Sequence, residues 1–436
     1  MDNQKRTIVA WSFYDFANSS FATIVLTFVY SSYFTKAIAT DTITGGRQWS
    51  WAVTISALIV ALSSPLLGAI ADRKGLRKRF LMVCSLMCIT ATIALYFPVA
   101  GQILPALAMF VVANSANELG NVFYNAFLPE ISNEKNIGRI SAWAWGLGYV
   151  GGILSTILVM VALVSTDDPW FGFTKEAGQN IRATNLFVAA WFSIFCIPIF
   201  LCVKEIRSDQ ASATINPYRI LLASFQDIRR HPQITRFLLA RLVYNDGLVA
   251  IFAFGGIYAS GTFGFTFEEI MIFGIVMNLA AGLGAFLLGS VDDRFGGKLT
   301  IYLTLVAFIF GTVGAVTAES RWLFWVSAVT VSLFAGPNQS ASRSLMGRFV
   351  PKSKVNEFYG FFSFSGKATA FVGPLMIGEL SQLLGSQRAG VGSLLILFVV
   401  GALLLSRVDE KTGISEAQLN LEKRRDSIFR AVAPLA

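Results

Sequence analysis

Apolar residues run along this chain in long blocks interrupted by short polar stretches. The first block, about residues 8–34, contains Trp11–Ser20, WSFYDFANSS, followed by FATIVLTFVYSSYF, and Asp15 is its single charged side chain. A soluble helix of that length would need a polar face, and this block has almost none. Runs of about 20 apolar residues are long enough to cross a bilayer as one helix. Twelve such runs are predicted as spanning helices, at approximately 8–34, 49–70, 80–99, 104–128, 140–164, 183–203, 236–258, 269–290, 299–317, 322–348, 358–380 and 391–406. The predicted fold class is therefore all-α and integral to the membrane, with twelve transmembrane helices.

Composition agrees. Hydrophobic residues make up 54% of the chain and charged residues 14%, with a mean hydropathy of +0.60, whereas a soluble domain carries about a quarter charged residues. The net charge of +9 does not point to nucleic acid, because of where the bases sit. With the N-terminus placed inside and the loops alternating, 26 of the 35 Lys and Arg fall in inside segments. Six fall outside (Lys36, Arg47, Lys175, Arg182, Arg321 and Arg388) and three within spans. This is the positive-inside distribution, and it predicts that both termini are cytoplasmic. Ala37-Ile38-Ala39 has the small-residue look of a signal-peptidase site. The preceding run, with Asp15 and Asn18 in it, is too long for a signal h-region of about 7–15 residues, so cleavage is not expected.

The spans fall into two related sets. After the second comes Gly68-Ala-Ile-Ala-Asp72-Arg73-Lys74-Gly75, and after the eighth Gly289-Ser-Val-Asp-Asp293-Arg294-Phe295-Gly296. Both read GxxxDRxG, displaced by 221 positions. FLPE ending at Glu130 matches FVPK ending at Lys352, displaced by 222, and Tyr14-Asp15 is echoed by Tyr244-Asn245-Asp246. A duplicated six-helix unit predicts two pseudo-symmetric bundles about an axis normal to the membrane. The predicted organisation is a bundle over 1–203, a linker over 204–235, a second bundle over 236–406 and a cytoplasmic tail over 407–436.

The doubled GxxxDRxG loops in a twelve-span chain resemble the major facilitator superfamily over essentially residues 8–406. YDFANSSF in the first span, YNDG in the seventh, SASRSL before Gly347 and SGKATAFVGP in the eleventh resemble one branch of it. That branch contains the autophagy-associated vacuolar amino-acid effluxers and their bacterial relatives. The resemblance implies that Asp72, Arg73, Asp293 and Arg294 latch the inner gate, and that the first, fourth, seventh and tenth spans line a central cavity. It implies export of amino acids or similar small solutes, across a bacterial cytoplasmic membrane or, alternatively, a vacuolar one.

Within the linker, Asn216-Pro217 is a helix-start signal. Tyr218, Leu221, Leu222, Phe225 and Ile228 then fall on one face, which predicts an amphipathic helix lying on the membrane surface. His231, the single histidine, belongs to this linker and is a poor proton carrier there. Cys84, Cys88, Cys196 and Cys202 lie in or beside apolar spans with no histidine near. They are expected to be packing residues, with no metal and no cofactor.

The spans hold three acids, Asp15, Glu118 and Asp246, and three bases, Arg241, Arg343 and Lys367. Each costs about 2.5–3.5 kcal/mol near a helix centre if unpaired, so they must pair, face a wet cavity or be neutralised. Asn114, Glu118, Asn121 and Asn125 follow i, i+4, i+7, i+11, a single helical stripe. The 222 displacement sets Gln339 against Asn117 and Arg343 against Asn121. Asp15, Glu118, Asp246 and Lys367 lie roughly 10–15 Å deep at 1.5 Å per residue. Asp15, Asn18, Glu118, Asn121, Asn245, Asp246, Arg343 and Lys367 are therefore the candidate substrate-binding or proton-coupling residues. Lys367 is expected to pair with Asp15 or Asp246. Gly146, Gly148, Gly151, Gly152 and Gly373-Pro374 are expected to serve helix packing and bending.

The expected function is secondary active transport of small polar solutes, amino acids foremost, by alternating access with possible proton coupling. The expected partners are a small-molecule substrate, protons and lipids, and the expected functional unit is a monomer. No HExxH, GxSxG or Walker sequence occurs, so hydrolysis and ATP-driven pumping have no support. Two alternatives remain. One is a sensor on the transporter fold. The other is an intramembrane aspartyl protease using Asp15 and Asp246, although YNDG stands where that enzyme needs GxGD.

Overall fold

The structure, a computed structural model of the chain, describes residues 3–40, 42–204, 226, 228–265, 267–352 and 354–417. Most of the predicted linker helix falls outside these residues. The regular elements are helices: α1 (Gln4–Ile38), α2 (Thr44–Lys74), α3 (Arg77–Ala94), α4 (Ile103–Ile131), α5 (Ile137–Val164), α6 (Glu176–Cys202), α7 (Pro232–Phe263), α8 (Phe267–Phe295), α9 (Gly297–Thr317), α10 (Arg321–Phe349), α11 (Val355–Lys367), α12 (Val372–Leu383) and α13 (Gln387–Ser406).

Among the described residues, nine helices are long and apolar enough to cross a membrane. The expected third, tenth and eleventh spans fall short, each for a local reason. Helix α3 has 18 residues and begins Arg77-Lys78-Arg79. Helix α10 carries the polar run from Asn338 to Ser344. The eleventh run is broken over 368–371 into α11 and α12. Pro374 explains that break: it has no N–H to give to the carbonyl of Ala370, and its ring crowds that carbonyl.

Two cores organise the chain. One gathers buried residues of α1–α6 around Trp11, Tyr14, Phe110, Tyr124 and Phe192. The other gathers residues of α7 and α9–α13, with Val122 and Ala126 of α4, around Tyr244, Phe308, Phe358 and Phe398. Cys84, Cys88 and Cys196 are buried in the first core as free thiols. The two sets meet along α2 on α11 and along α5 on α8 and α10. These are equivalent pairs under the six-helix repeat. The α2–α11 approach depends on glycine from both sides. A Cβ on Gly68 would lie 2.3 Å from the Asn356 carbonyl oxygen, and one on Gly360 would lie 2.5 Å from that of Ser64.

Inside the first set, α5 lies against α1 through Gly148, Gly151 and Gly152, as expected of packing glycines. A Cβ on Gly151 would sit 2.4 Å from the Phe16 carbonyl oxygen. Gly151→Ala must push the two backbones apart and is expected to destabilise the protein by about 1–3 kcal/mol. Gly46→Ala, with nothing within 4 Å of its Cβ in helix α2, should not lower the thermal midpoint in detergent, since Ala favours a helix over Gly. An equal midpoint for both variants would refute the close-approach role.

Candidate functional site

One end of the helix array is basic. There Thr7 Oγ1 donates to the Cys202 carbonyl, Arg236 to that of Arg407 and Lys298 to that of Ser406, so the outer ends of α1, α6, α7, α9 and α13 share this face. At it, the two DRxG loops do the same thing in the two halves. Asp72, at the end of α2, accepts hydrogen bonds from the backbone N–H groups of Asn356 (3.1 Å) and Glu357 (2.8 Å) in the first turn of α11. Asp293, at the end of α8, accepts from those of Gly138 (2.8 Å) and Arg139 (3.1 Å) in the first turn of α5. First-turn N–H groups have no partner within their own helix and carry the positive end of its dipole. Each carboxylate thus caps a helix of the opposite half.

The bases at these clasps are not Arg73 and Arg294, which are exposed. Both arginines lie exposed at the helix end, and other bases reach the two carboxylates. Arg77 bonds Glu130 at 2.6 Å, lies 3.8 Å from Asp72 and donates to Asn356 Oδ1. Arg348 bonds Asp292 at 2.6 Å and lies 3.7 Å from Asp293. Ser344 also donates to Asp292. Glu410, 3.6 Å from Arg348, accepts from the first N–H groups of α9, Gly297 and Lys298. Beside it, hydrogen bonds from Thr412 hold the Asp409 carboxyl below its ordinary pKa. The doubled Asp292-Asp293 was the available sign that one acid needs a second base.

Deeper, two ion pairs cross between the halves. Asp15 of α1 meets Arg343 of α10 at 2.9 Å, with side chains 14% and 3% exposed. Glu118 of α4 meets Lys367 of α11 at 2.8 Å, with 21% and 33%. Lys367 therefore pairs with Glu118, and not with Asp15 or Asp246: Arg343 already occupies Asp15, and Asp246 faces another way. Both acids belong to the first half and both bases to the second.

Asn18 donates to Asn121 at 2.8 Å, binding α1 to α4. In the second half Gln339 donates to Asn245, which donates to the Gly366 carbonyl. With Tyr14 matched to Tyr244, the position equivalent to Asp15 is Asn245. Asp246 comes one residue later, turned by about 100°, and its carboxylate accepts from the Gly373 N–H at the start of α12. Asp246 is thus the cap of the helix half beyond the break, and Asp15 and Asp246 form no aspartyl dyad. Arg241 donates to the Phe362 carbonyl (2.7 Å) and to Ser365, and its guanidinium stands 3.6 Å from the Phe362 ring centroid.

Sequence reasoning missed the surroundings of Arg343. Its Nη1 donates to Asp15 and Asn125, its Nε to Ser141 Oγ and its Nη2 to the Ser141 carbonyl. The rings of Trp11, Tyr124 and Trp145 stand 5.0, 5.7 and 5.6 Å from it. Trp11 lies one helical turn before Asp15, and Trp145 one turn after Ser141, so i, i+4 spacing was the available signal. Beyond the ion pairs, away from the basic face, a groove of about 650 Å³ opens between α2 and α4. It is lined by Trp51, Ile55, Leu107 and Val111 among others. Leu107 and Val111 continue the helical stripe of Asn114 and Glu118.

The fold matches known proteins over nearly its whole length. The structure of the major facilitator proton:xylose symporter XylE, bound to 6-bromo-6-deoxy-D-glucose, is similar with a TM-score of 0.74 at 12% identity, covering 94% of this chain and 97% of that one. That likeness shows the fold: this is the major facilitator fold, integral to the membrane. The MFS-type transporter YxiO of Bacillus subtilis (strain 168) is 30% identical over 414 residues, 94% of this chain and 96% of the relative. Autophagy-related protein 22 of Cryptococcus neoformans var. neoformans serotype D (strain B-3501A) is 23% identical over 312 residues, 66% of this chain. The matched region spans 55% of that fungal relative's length. A family model described as "Vacuole effluxer Atg22 like" matches residues 50–418. The chain belongs to this Atg22-like family of transporters, which carry solutes and are not enzymes.

Proposed function

We propose that the protein is a secondary active transporter that exports small polar solutes, amino acids foremost, by alternating access. The observation that carries this reading is the division of charge between the halves. Asp15 and Glu118 stand on one side of the interface, Arg343 and Lys367 on the other. A zwitterion brings both charges and can replace such contacts with its own, so that binding favours separation of the bundles. Its ammonium suits the acids of the first half and its carboxylate the bases of the second. Asn18, Asn121 and Asn245 offer hydrogen bonds nearby, and the groove along Leu107 and Val111 offers a way out on the far side. Asp15 and Glu118 are the groups for proton exchange, each losing its base when the halves part. Export follows the family's description as effluxers.

The basic face is assigned to the cytoplasm on the positive-inside distribution, with both termini there and the chain in a bacterial cytoplasmic membrane. The arrangement is then closed toward the cytoplasm, and the caps made by Asp72 and Asp293, with Arg77 and Arg348, are its latches. A carboxylate at a partly buried helix N-terminus contributes up to about 2 kcal/mol, a factor of roughly 30 in the closed-to-open ratio. Asp72→Asn and Asp293→Asn are each expected to slow turnover several-fold with little change in apparent affinity. Unchanged turnover in both would refute the latch.

The test of function is efflux from loaded proteoliposomes, screened across the amino acids with and without a pH gradient. Efflux that depends on protein and gradient is expected. Its absence for every amino acid, in vesicles that contain folded protein, would favour the transporter-fold sensor.

A further inference from the structure

Arg343 is held unusually for a residue that crosses a moving interface. It comes from α10 of the second half, yet nearly everything that grips its guanidinium belongs to α1, α4 and α5 of the first. Those groups are Asp15 and Asn125 at Nη1, Ser141 at Nε and Nη2, and the Trp11, Tyr124 and Trp145 rings around it. The walls do not depend on the arginine for their positions. Trp11 Nε1 donates to the Tyr124 carbonyl at 3.0 Å, and the two rings stack at 4.6 Å. Tyr124 stacks in turn on Tyr14 at 4.8 Å, whose hydroxyl is hydrogen-bonded to Ser85. On the other side, a Cβ on Gly148 would meet the Asp15 backbone oxygen at 3.4 Å, fixing α5 against α1 beside the carboxylate. All of these contacts lie within the first half; of the seat residues, Ser141 also donates to the Ser340 carbonyl of α10.

We propose that this seat is a substrate subsite for a guanidinium group, filled by the protein's own Arg343 while the basic face is closed and vacated when the bundles part. The proposal rests on the transport reading above and narrows it to cationic amino acids and amines of the arginine class. Acceptors set around three nitrogens of a planar fork, with aromatic faces about it, match a guanidinium better than a compact, strongly hydrated ammonium. Arg343 is then an internal competitor. Substrate guanidinium entering the vacated seat satisfies Asp15, Asn125 and Ser141, which would otherwise be left without their partner, and so offsets the cost of opening.

The experiment measures binding of L-arginine, agmatine and L-citrulline to the purified full-length protein by calorimetry and thermal shift. Citrulline keeps the length and shape of arginine but replaces the cation with a neutral ureido group. Arginine and agmatine are expected to bind at least about tenfold tighter than citrulline. Trp145→Leu should remove most of that difference. Arg343→Ala, which empties the seat in every state, should be stabilised by methylguanidinium and not by methylammonium at equal concentration. Equal binding of arginine and citrulline by the wild type overturns the proposal. So does an unchanged ratio in Trp145→Leu, an arm that stands even where Arg343→Ala fails to fold. Proteoliposome flux separates this failure from failure of the transport reading. Neutral amino-acid flux that neither arginine nor agmatine inhibits refutes the seat and leaves transport standing. Absence of flux for every solute refutes transport itself.

Discussion

Asp15→Asn is expected to bring pH-gradient-driven flux down to background while the protein still inserts and folds. The substitution keeps the shape of the side chain and removes its charge. It deletes one half of an ion pair in which the Arg343 side chain is only 3% exposed, so Arg343 loses a charge-assisted hydrogen bond worth about 1.5–3 kcal/mol. The remaining acceptors, Asn125 and Ser141, still hold the guanidinium. The lost bond is also partly compensated, because an amide costs less than a carboxylate in the membrane. Folding should therefore survive with a modest drop in thermal midpoint, whereas a step that needs a titratable group at this position cannot proceed. Flux in proteoliposomes at matched protein level is the measurement. Near-wild-type flux with its pH dependence intact would show that Asp15 is scaffolding.

Lys367→Ala together with Glu118→Gln is expected to be more stable than Lys367→Ala alone. Removing one partner of a fully buried pair costs about 3–5 kcal/mol, because the other charge is left stranded. Here the side chains are 33% and 21% exposed, so water screens part of the loss and about 1–3 kcal/mol is expected. Neutralising Glu118 removes the stranded charge. Asp15→Asn and Asp246→Asn should give no such rescue, since Asp15 faces Arg343 and Asp246 faces the Gly373 N–H. Thermal midpoints and expression levels of Lys367→Ala and the three doubles settle the partner. Rescue by Asp246→Asn, with none by Glu118→Gln, would place the ion pair elsewhere.

These pairings mark the limit of sequence reading. Depth along a helix is local information, and it put Asp15, Glu118, Asp246 and Lys367 at comparable levels. Azimuth and partner are not local. The bonded residues Arg343 and Asp15 are 328 positions apart, and Lys367 and Glu118 are 249 apart. Asp246 departs for a sharper reason: Tyr244 matches Tyr14, but one inserted step places Asn245 in the register of Asp15 and turns the aspartate toward α12. In the clasps the acids were legible because GxxxDRxG recurs, while the bases were not. The motif's own arginines end exposed, and Arg77 and Arg348 reach the carboxylates from a following turn and from α10.

Short-range physics is what can be read directly from the chain. Long apolar runs have to be helices, because lipid cannot satisfy a bare backbone. The duplicated loops announce two related halves, and the stripe from Asn114 to Asn125 has to face inward because its cost in lipid is set residue by residue. Only the packing of distant helices fixes which charges meet across the interface and that α11 and α12 are separate pieces, the second capped by Asp246. It also decided that Trp11, Tyr124 and Trp145 converge on one guanidinium. Each of these depends on the rotation and packing of helices distant in the chain, where a single residue's offset turns a side chain by about 100° and exchanges one partner for another.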